Sequence, residues 1–162
     1  MDDLFAPSDV SWTPVSPKLA TVRRLSAAIV LGVIGLAGLL LFGLMIDWRY
    51  GVLVLAIAAA VYAFVWVLIG RNQRSWKYAE RDDELLVSHG IMFRQLVVVP
   101  YGRMQFVDVA AGPLERSFGV ATVELHTATP STDAKIPGLD PDEAGRLRDR
   151  LSALGQAQAW GL

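Results

Sequence analysis

The 162-residue chain contains no cysteine. Disulfides, thiol chemistry and cysteine metal sites are thereby excluded, although compartment is left open. Histidine is scarce. His89 and His126 lie far apart and, even with Glu124 and Asp133 nearby in sequence, show no metal-ligand spacing. Net charge is near zero, with 15 basic and 16 acidic residues, so nothing global points to nucleic acid. Ser88, Ser117 and Ser131 lack a G-x-S-x-G context. Gly112, Gly119 and Gly138 are turn glycines, and no Gly-Lys-Ser/Thr follows them as in a phosphate loop. The carboxylates fall in turns and at a helix start, where solvent and the helix dipole account for them. Neither enzymatic activity nor a bound cofactor or metal is expected.

What the chain does have is two uncharged apolar runs almost back to back: Leu25–Ile46, 22 residues, and Gly51–Gly70, 20 residues. As helices each reaches roughly 30 Å, the thickness of a bilayer's hydrocarbon core. A helix satisfies its own backbone hydrogen bonds and can therefore sit in lipid. Only Asp47-Trp48-Arg49-Tyr50 separates the runs, so an antiparallel transmembrane hairpin is expected over 18–74, with Trp48 and Tyr50 at headgroup depth. A signal peptide fits less well, because the first run starts late and exceeds the usual apolar core of such peptides. Lys18, Arg23 and Arg24 precede the hairpin and Arg71, Arg74 and Lys77 follow it, whereas Arg49 in the turn is offset by Asp47. The positive-inside rule then puts both termini in the cytoplasm. Gly32, Gly35 and Gly38 form a smooth stripe on the first helix, and Ala56, Ala59, Ala60 and Ala63 lie on the second. Small residues of this kind permit close packing within the hairpin or between copies. Tyr62 is the one ionisable residue in either run, which argues against an ion or proton path through this chain alone.

Residues 1–17, with three acids, no base and three prolines, read as a flexible or extended tail. Leu4, Phe5 and Trp12 are its apolar members, placed near the membrane surface or on the soluble domain. The remainder, 75–155, reads as a soluble domain of short strands, with 156–162 as a C-terminal tail. Trp76 and Tyr78 begin a strand, 80–84 is a charged turn, and Leu85–Val87 leads into a turn at Ser88–Gly90. The next strand runs to Pro100. Arg103–Ala111 alternates, with Met104, Phe106 and Asp108 on one parity and Val107 and Val109 on the other. Residues 114–120 are too short for a full helix. Ala121–Thr127 alternates cleanly, Thr127–Asp133 is a polar loop, and Ala134–Ile136 is a very short strand. A final helix opens at Asp140 as N-cap and Pro141, with Glu143 completing a capping box, and stops near Gly155. Its apolar face is Ala144, Leu147, Leu151 and Leu154. Strands followed by one helix suggest a curled antiparallel sheet with the helix over one open end.

The segments ELLVSHGIMFRQLVVVP at 84–100, YGRMQFVDVAAGPLERSFG at 101–119, VATVELHTA at 120–128 and IPGLDPDEAGRLRDRL at 136–151, after a two-helix hairpin, resemble the bacterial pleckstrin-homology family of the DUF304 (bPH2) type found in YdbS-like membrane proteins. The resemblance covers about 130 residues. It implies a transmembrane hairpin in the bacterial cytoplasmic membrane followed by a mainly antiparallel β PH-like barrel or sandwich, capped by a C-terminal α-helix. It carries no catalytic residues over.

Arg103 and Gln105 match the family's R-x-Q, and Arg116 lies in its GPLERSFG segment. These three are the candidate partner or anion contacts, Arg116 having Asp108 or Glu115 as an internal alternative. Phe118 reads as core. Arg71, Arg74 and Lys77 are candidate headgroup contacts beneath the inner leaflet, short of the four to eight charges of a dedicated anionic-lipid cluster. The sequence thus points to a non-enzymatic module for protein interaction or assembly at the cytoplasmic membrane face, acting on another membrane protein or a second copy through strand edges around 103–118 and 127–135. Sensing of anionic phospholipid headgroups is the alternative.

Overall fold

The computed structural model describes residues 10–128 and 133–159. Leu4, Phe5 and the first part of the tail, the middle of the 127–133 loop, and residues 160–162 lie outside them. The chain divides into two compact units: Ala20–Arg71, and a second made of Met1–Leu19 with Asn72–Leu162.

The first unit is the hairpin. Helices α1 (Lys18–Met45) and α2 (Trp48–Ser75) are 28 residues each, both long and apolar enough to cross a membrane. α1 begins well before its apolar run, and α2 extends beyond its run at both ends. The connection is shorter than the sequence suggests, because Asp47 caps α2: its Oδ1 accepts the Arg49 amide at 2.9 Å, so Trp48–Tyr50 form the first turn. Gly35 and Gly38 face α2. A methyl group at Gly35 would lie 3.1 Å from the Ala58 Cβ, and one at Gly38 would collide with Val54. Gly32 has open space beside it, so only part of the stripe serves packing within the hairpin. Arg24 turns back onto α2, its guanidinium 4.2 Å from the Trp66 ring centroid.

The second unit is a two-sheet β sandwich. One sheet has the order β1-β2-β3-β4, formed by Thr13–Pro14, Lys77–Glu80, Glu84–His89 and Gln95–Pro100. The other has the order β5-β6-β7, formed by Met104–Ala110, Ala121–Thr127 and Ala134–Leu139. All neighbouring strands are antiparallel. A 3-10 turn at Tyr101–Arg103 joins the sheets, α3 (Pro113–Ser117) links β5 to β6, and α4 (Pro141–Ala159) follows β7. Leu85, Val87 and Val99 from one sheet meet Val123, Leu125 and Ile136 from the other, and Ala144, Leu147 and Leu151 of α4 close the same core. Period-2 burial along β6 matches its sequence alternation.

Several boundaries differ from the sequence reading. Ser88 and His89 complete β3 because they pair with Leu96 and Gln95, so the turn moves to 90–94. The last strand reaches Leu139; an irregularity between its pairings at Ile136 and Leu139 accommodates Pro137 at a sheet edge. The final helix passes Gly155 and continues to Ala159, into the segment expected as a C-terminal tail. Glu143, expected to close a capping box, is held instead by the Tyr78 hydroxyl at 2.7 Å and by Arg146.

The larger correction concerns the N-terminal segment expected as a tail. Thr13 and Pro14 pair with Tyr78 and Lys77, the Ser16 amide donates to the Gly138 carbonyl at 2.9 Å, and Gln73 Nε2 donates to the Val15 carbonyl at 3.1 Å. Val15 and Leu19 enter the core. Lys18 Nζ, read from sequence as a topology charge, also reaches Asp140 Oδ1 at 2.8 Å. Apolar side chains spaced four apart were enough to dock a short segment that composition alone marks as polar.

Candidate functional site

Strand β5 alternates out of phase with the expectation because of one residue. Met104 pairs with Thr127 but Phe106 pairs with His126, leaving Gln105 as a bulge. The bulge puts Met104 and Val107 against the core together and turns Phe106 outward. Phe106, 52% exposed, stacks on His126 with ring centroids 4.4 Å apart. The parity read from sequence is therefore broken between Met104 and Phe106.

Among the described residues β5 pairs only with β6, so its second edge carries no strand. α4 passes beside that edge. Gly155 makes the crossing close: a methyl group there would lie 3.5 Å from the Tyr101 carbonyl and 3.6 Å from the Met104 Cε. Between strand and helix runs a groove of about 330 Å³, lined by Met104, Gln105, Phe106 and Val107 on one side and Leu151, Ser152, Gly155 and Gln156 on the other. Its lining mixes apolar Met104, Phe106, Val107 and Leu151 with polar Gln105, Ser152 and Gln156, beside a strand edge of the kind that can take an extended peptide.

α4 is fixed at its other end by charge. Arg146 Nη2 bridges Glu80 Oε1 at 2.7 Å and Glu143 Oε1 at 2.6 Å, and Arg150 lies 3.1 Å from Glu80 Oε2. Arg146 holds the Glu143 carboxyl below the usual range, with the Tyr78 hydrogen bond acting in the same direction against partial burial. Burial, followed by the charge and hydrogen bond of Glu143, raises the Tyr78 phenol well above its ordinary value. Burial pushes the Tyr101 phenol up to about 12, and its hydroxyl donates to the Arg81 carbonyl at 2.9 Å.

The sequence-selected residues do not converge. Arg103 ends the 3-10 turn before β5, whereas Arg116 sits in α3 beyond the strand's other end. The seven residues of β5 hold them apart by roughly 20 Å. Arg116 is occupied locally: its Nε donates to the Ala111 carbonyl at 3.1 Å, while Glu115 accepts the Gly112 amide at 2.8 Å. That bond goes to the backbone and not to Asp108 or Glu115. Gln105 alone of the three lines the groove. Arg71 and Arg74 lie one turn apart on α2, and Lys77 opens β2 with its ammonium 4.7 Å from the Trp12 ring centroid.

A second concavity is acidic and ill suited to an anion. A cavity of about 510 Å³ at the β2–β3 turn is lined by Val10, Ser11, Glu80, Arg81, Asp82, Asp83 and Glu84. Its one cation, Arg81, pairs with Glu84 at 3.0 Å. His89, expected in a turn, ends β3 and stacks on Trp76 at 4.3 Å, and burial lowers its pKa. His126 Nδ1 lies 3.3 Å from Asp133 Oδ2, and the Thr127 amide, with lesser help from His126, keeps that carboxyl below its ordinary value. Among the described residues no group of three or more His, Asp or Glu side chains could hold a metal ion. Residue pattern alone missed the groove, because it depends on α4 crossing β5 from about 50 positions away in the chain. The local signal that could have marked it was the R-x-Q segment itself.

Comparison with known proteins adds two matches. The bacterial PH domain profile matches residues 19–155. The UPF0699 transmembrane protein YdbS of Bacillus subtilis (strain 168) is 34% identical over 109 residues, covering 67% of this chain and 67% of that protein. No solved structure gives a significant match.

Proposed function

The chain belongs to the bacterial PH domain family, and from that premise we propose that it serves as a protein-interaction or assembly module at the cytoplasmic membrane face. As a family member it is a non-catalytic, membrane-associated PH-like module. The finer reading rests on one observation: the unpaired β5 edge borders the groove lined by Gln105, Phe106 and α4. The proposed occupant is an extended cytoplasmic segment of another membrane protein. It would add as a strand to β5 and place alternate side chains against Met104 and Val107. Basic residues on both sides of the hairpin, Lys18, Arg23 and Arg24 before it and Arg71, Arg74 and Lys77 after it, support a cytoplasmic domain.

A photo-crosslinking residue at Gln105 or Gln156, in full-length protein in native membranes, tests this reading. The expected result is one stoichiometric adduct from both positions, mapping to an extended segment of a membrane protein and lost in Phe106→Asp. Adducts equal in yield to those from Asp82, at the far turn of the other sheet, would overturn it. The alternative, a module for anionic headgroups, would require cations converging on one concavity. Arg103 and Arg116 are instead separated by the length of β5, and the cavity of about 510 Å³ at the β2–β3 turn is lined mainly by acids. Anionic-lipid dependence of binding through Arg71, Arg74 and Lys77 would favour that alternative.

A further inference from the structure

The β3–β4 turn has the wrong composition for a solvent-exposed hairpin. Turns favour Gly, Pro, Asn, Asp and Ser. This one reads Gly90-Ile91-Met92-Phe93-Arg94. Met92 is 86% exposed and Phe93 81%, more than any other large apolar side chain on the described part of the β unit. Nothing among the described residues of the domain covers this pair, and apolar surface left in water is costly, which favours an external apolar surface as its cover.

Its position supplies the occupant. The Gly90 amide donates to Ser75 Oγ at 3.1 Å, and Ser75 is the last residue of α2. Trp76, the next residue, stacks on His89 at the base of the same turn. The 28 residues of α2 make about 42 Å of helix, close to the 40–45 Å of a bilayer with its headgroup layers. From Gly70, where the apolar run ends, to Ser75 is only about 8 Å of helical rise. The hairpin tip is thus tethered at headgroup depth or just beyond it, a bound that follows from chain length alone. The bilayer is the apolar surface that the chain itself always keeps within that distance, and Arg94 beside the pair suits an anionic headgroup layer.

We infer that the Ile91–Arg94 tip is a separate membrane-contact site that buries Met92 and Phe93 among lipid at the interface. The domain would then touch the bilayer through its own loop besides hanging from the helices. That third contact would limit the directions in which the β5 groove is presented.

The absence of cysteine makes the test clean. Met92→Cys, Phe93→Cys and the control Asp82→Cys each receive one nitroxide label in the full-length chain. Asp82 is exposed at the opposite end of β3, roughly 20 Å away. The proteins are placed one per nanodisc in phosphatidylethanolamine and phosphatidylglycerol. Interfacial burial by several ångströms predicts collision with a water-soluble nickel chelate about fivefold lower at 92 and 93 than at 82, with oxygen collision higher. Phe93→Asp in the Met92→Cys protein should restore nickel access. Equal nickel access at all three positions would overturn the inference. Protection found only in discs holding two chains would overturn it equally, assigning the tip to a second copy.

Discussion

Replacing Gly138 by alanine puts a methyl group into Leu19. The new Cβ would lie 2.7 Å from the Leu19 Cβ and 3.0 Å from its Cδ2. Gly138 also has a φ of +74°, a left-handed conformation costing an L-residue about 1–2 kcal/mol. Leu19 is 2% exposed and cannot swing aside into solvent, so overpacking adds about 1–3 kcal/mol. Alanine stiffens the unfolded chain, which returns roughly 0.4–1 kcal/mol. The net expected loss is about 2–4 kcal/mol. Gly119→Ala provides the matched control: its φ is +62°, but nothing lies within 4 Å of the added methyl. That variant should lose only about 1 kcal/mol, the strain without the collision. Urea unfolding of the full-length protein in detergent, followed by tryptophan fluorescence, reads both. Both variants share the same hairpin, so the difference between their transitions reports the β unit. Equal losses for Gly138→Ala and Gly119→Ala would refute the docking of the N-terminal segment, because only a seated Leu19 distinguishes the two sites.

Three other outcomes follow from the geometry. The Tyr101 phenol ionises near 12 in the folded protein and near 10 when unfolded, so its contribution is full below pH 10 and is lost between 10 and 12. The unfolding free energy from urea titrations should fall by about 2–3 kcal/mol over that window, and Tyr101→Phe should flatten the fall. Glu143 is held below its ordinary 4.5 by Arg146 first, so its contribution is present above pH 4.5 and disappears as pH falls through the lower folded value. Arg146→Ala should cost about 1 kcal/mol at pH 7, since the pairs are partly solvated, and should weaken the acid dependence seen in a pH 3–7 urea series. Deleting Gln105 makes the β5–β6 register continuous while keeping Met104 and Val107 inward, so stability should change by less than about 1 kcal/mol, measured in urea. The same deletion reshapes the groove wall and should abolish crosslinking from Gln156.

The periodicity of β6 was plain in the sequence because each side chain's environment there follows its parity without interruption. β5 was not, because a bulge is a choice of pairing. The residues RMQFV do not say which of them β6 will leave unpaired. His89 seemed a turn residue beside Gly90 for a similar reason: only its pairing with Gln95 keeps it in β3. Arg103 and Arg116 were grouped from the sequence as candidate contacts, but the extended strand between them holds them far apart.

By itself the sequence determined the two long apolar helices, the succession of strands and the closing helix. Each depends on local hydrophobic period and on turn or capping residues, information carried within a few positions. The family resemblance followed from the same segments. Tertiary structure alone decided that residues 13–19 belong to the β unit, that α4 and β5 enclose a groove, and that Met92 and Phe93 project from a turn bonded to the last residue of α2. Each of those facts joins segments far apart in the chain, where the outcome depends on which surfaces fit together and no local pattern records the fit.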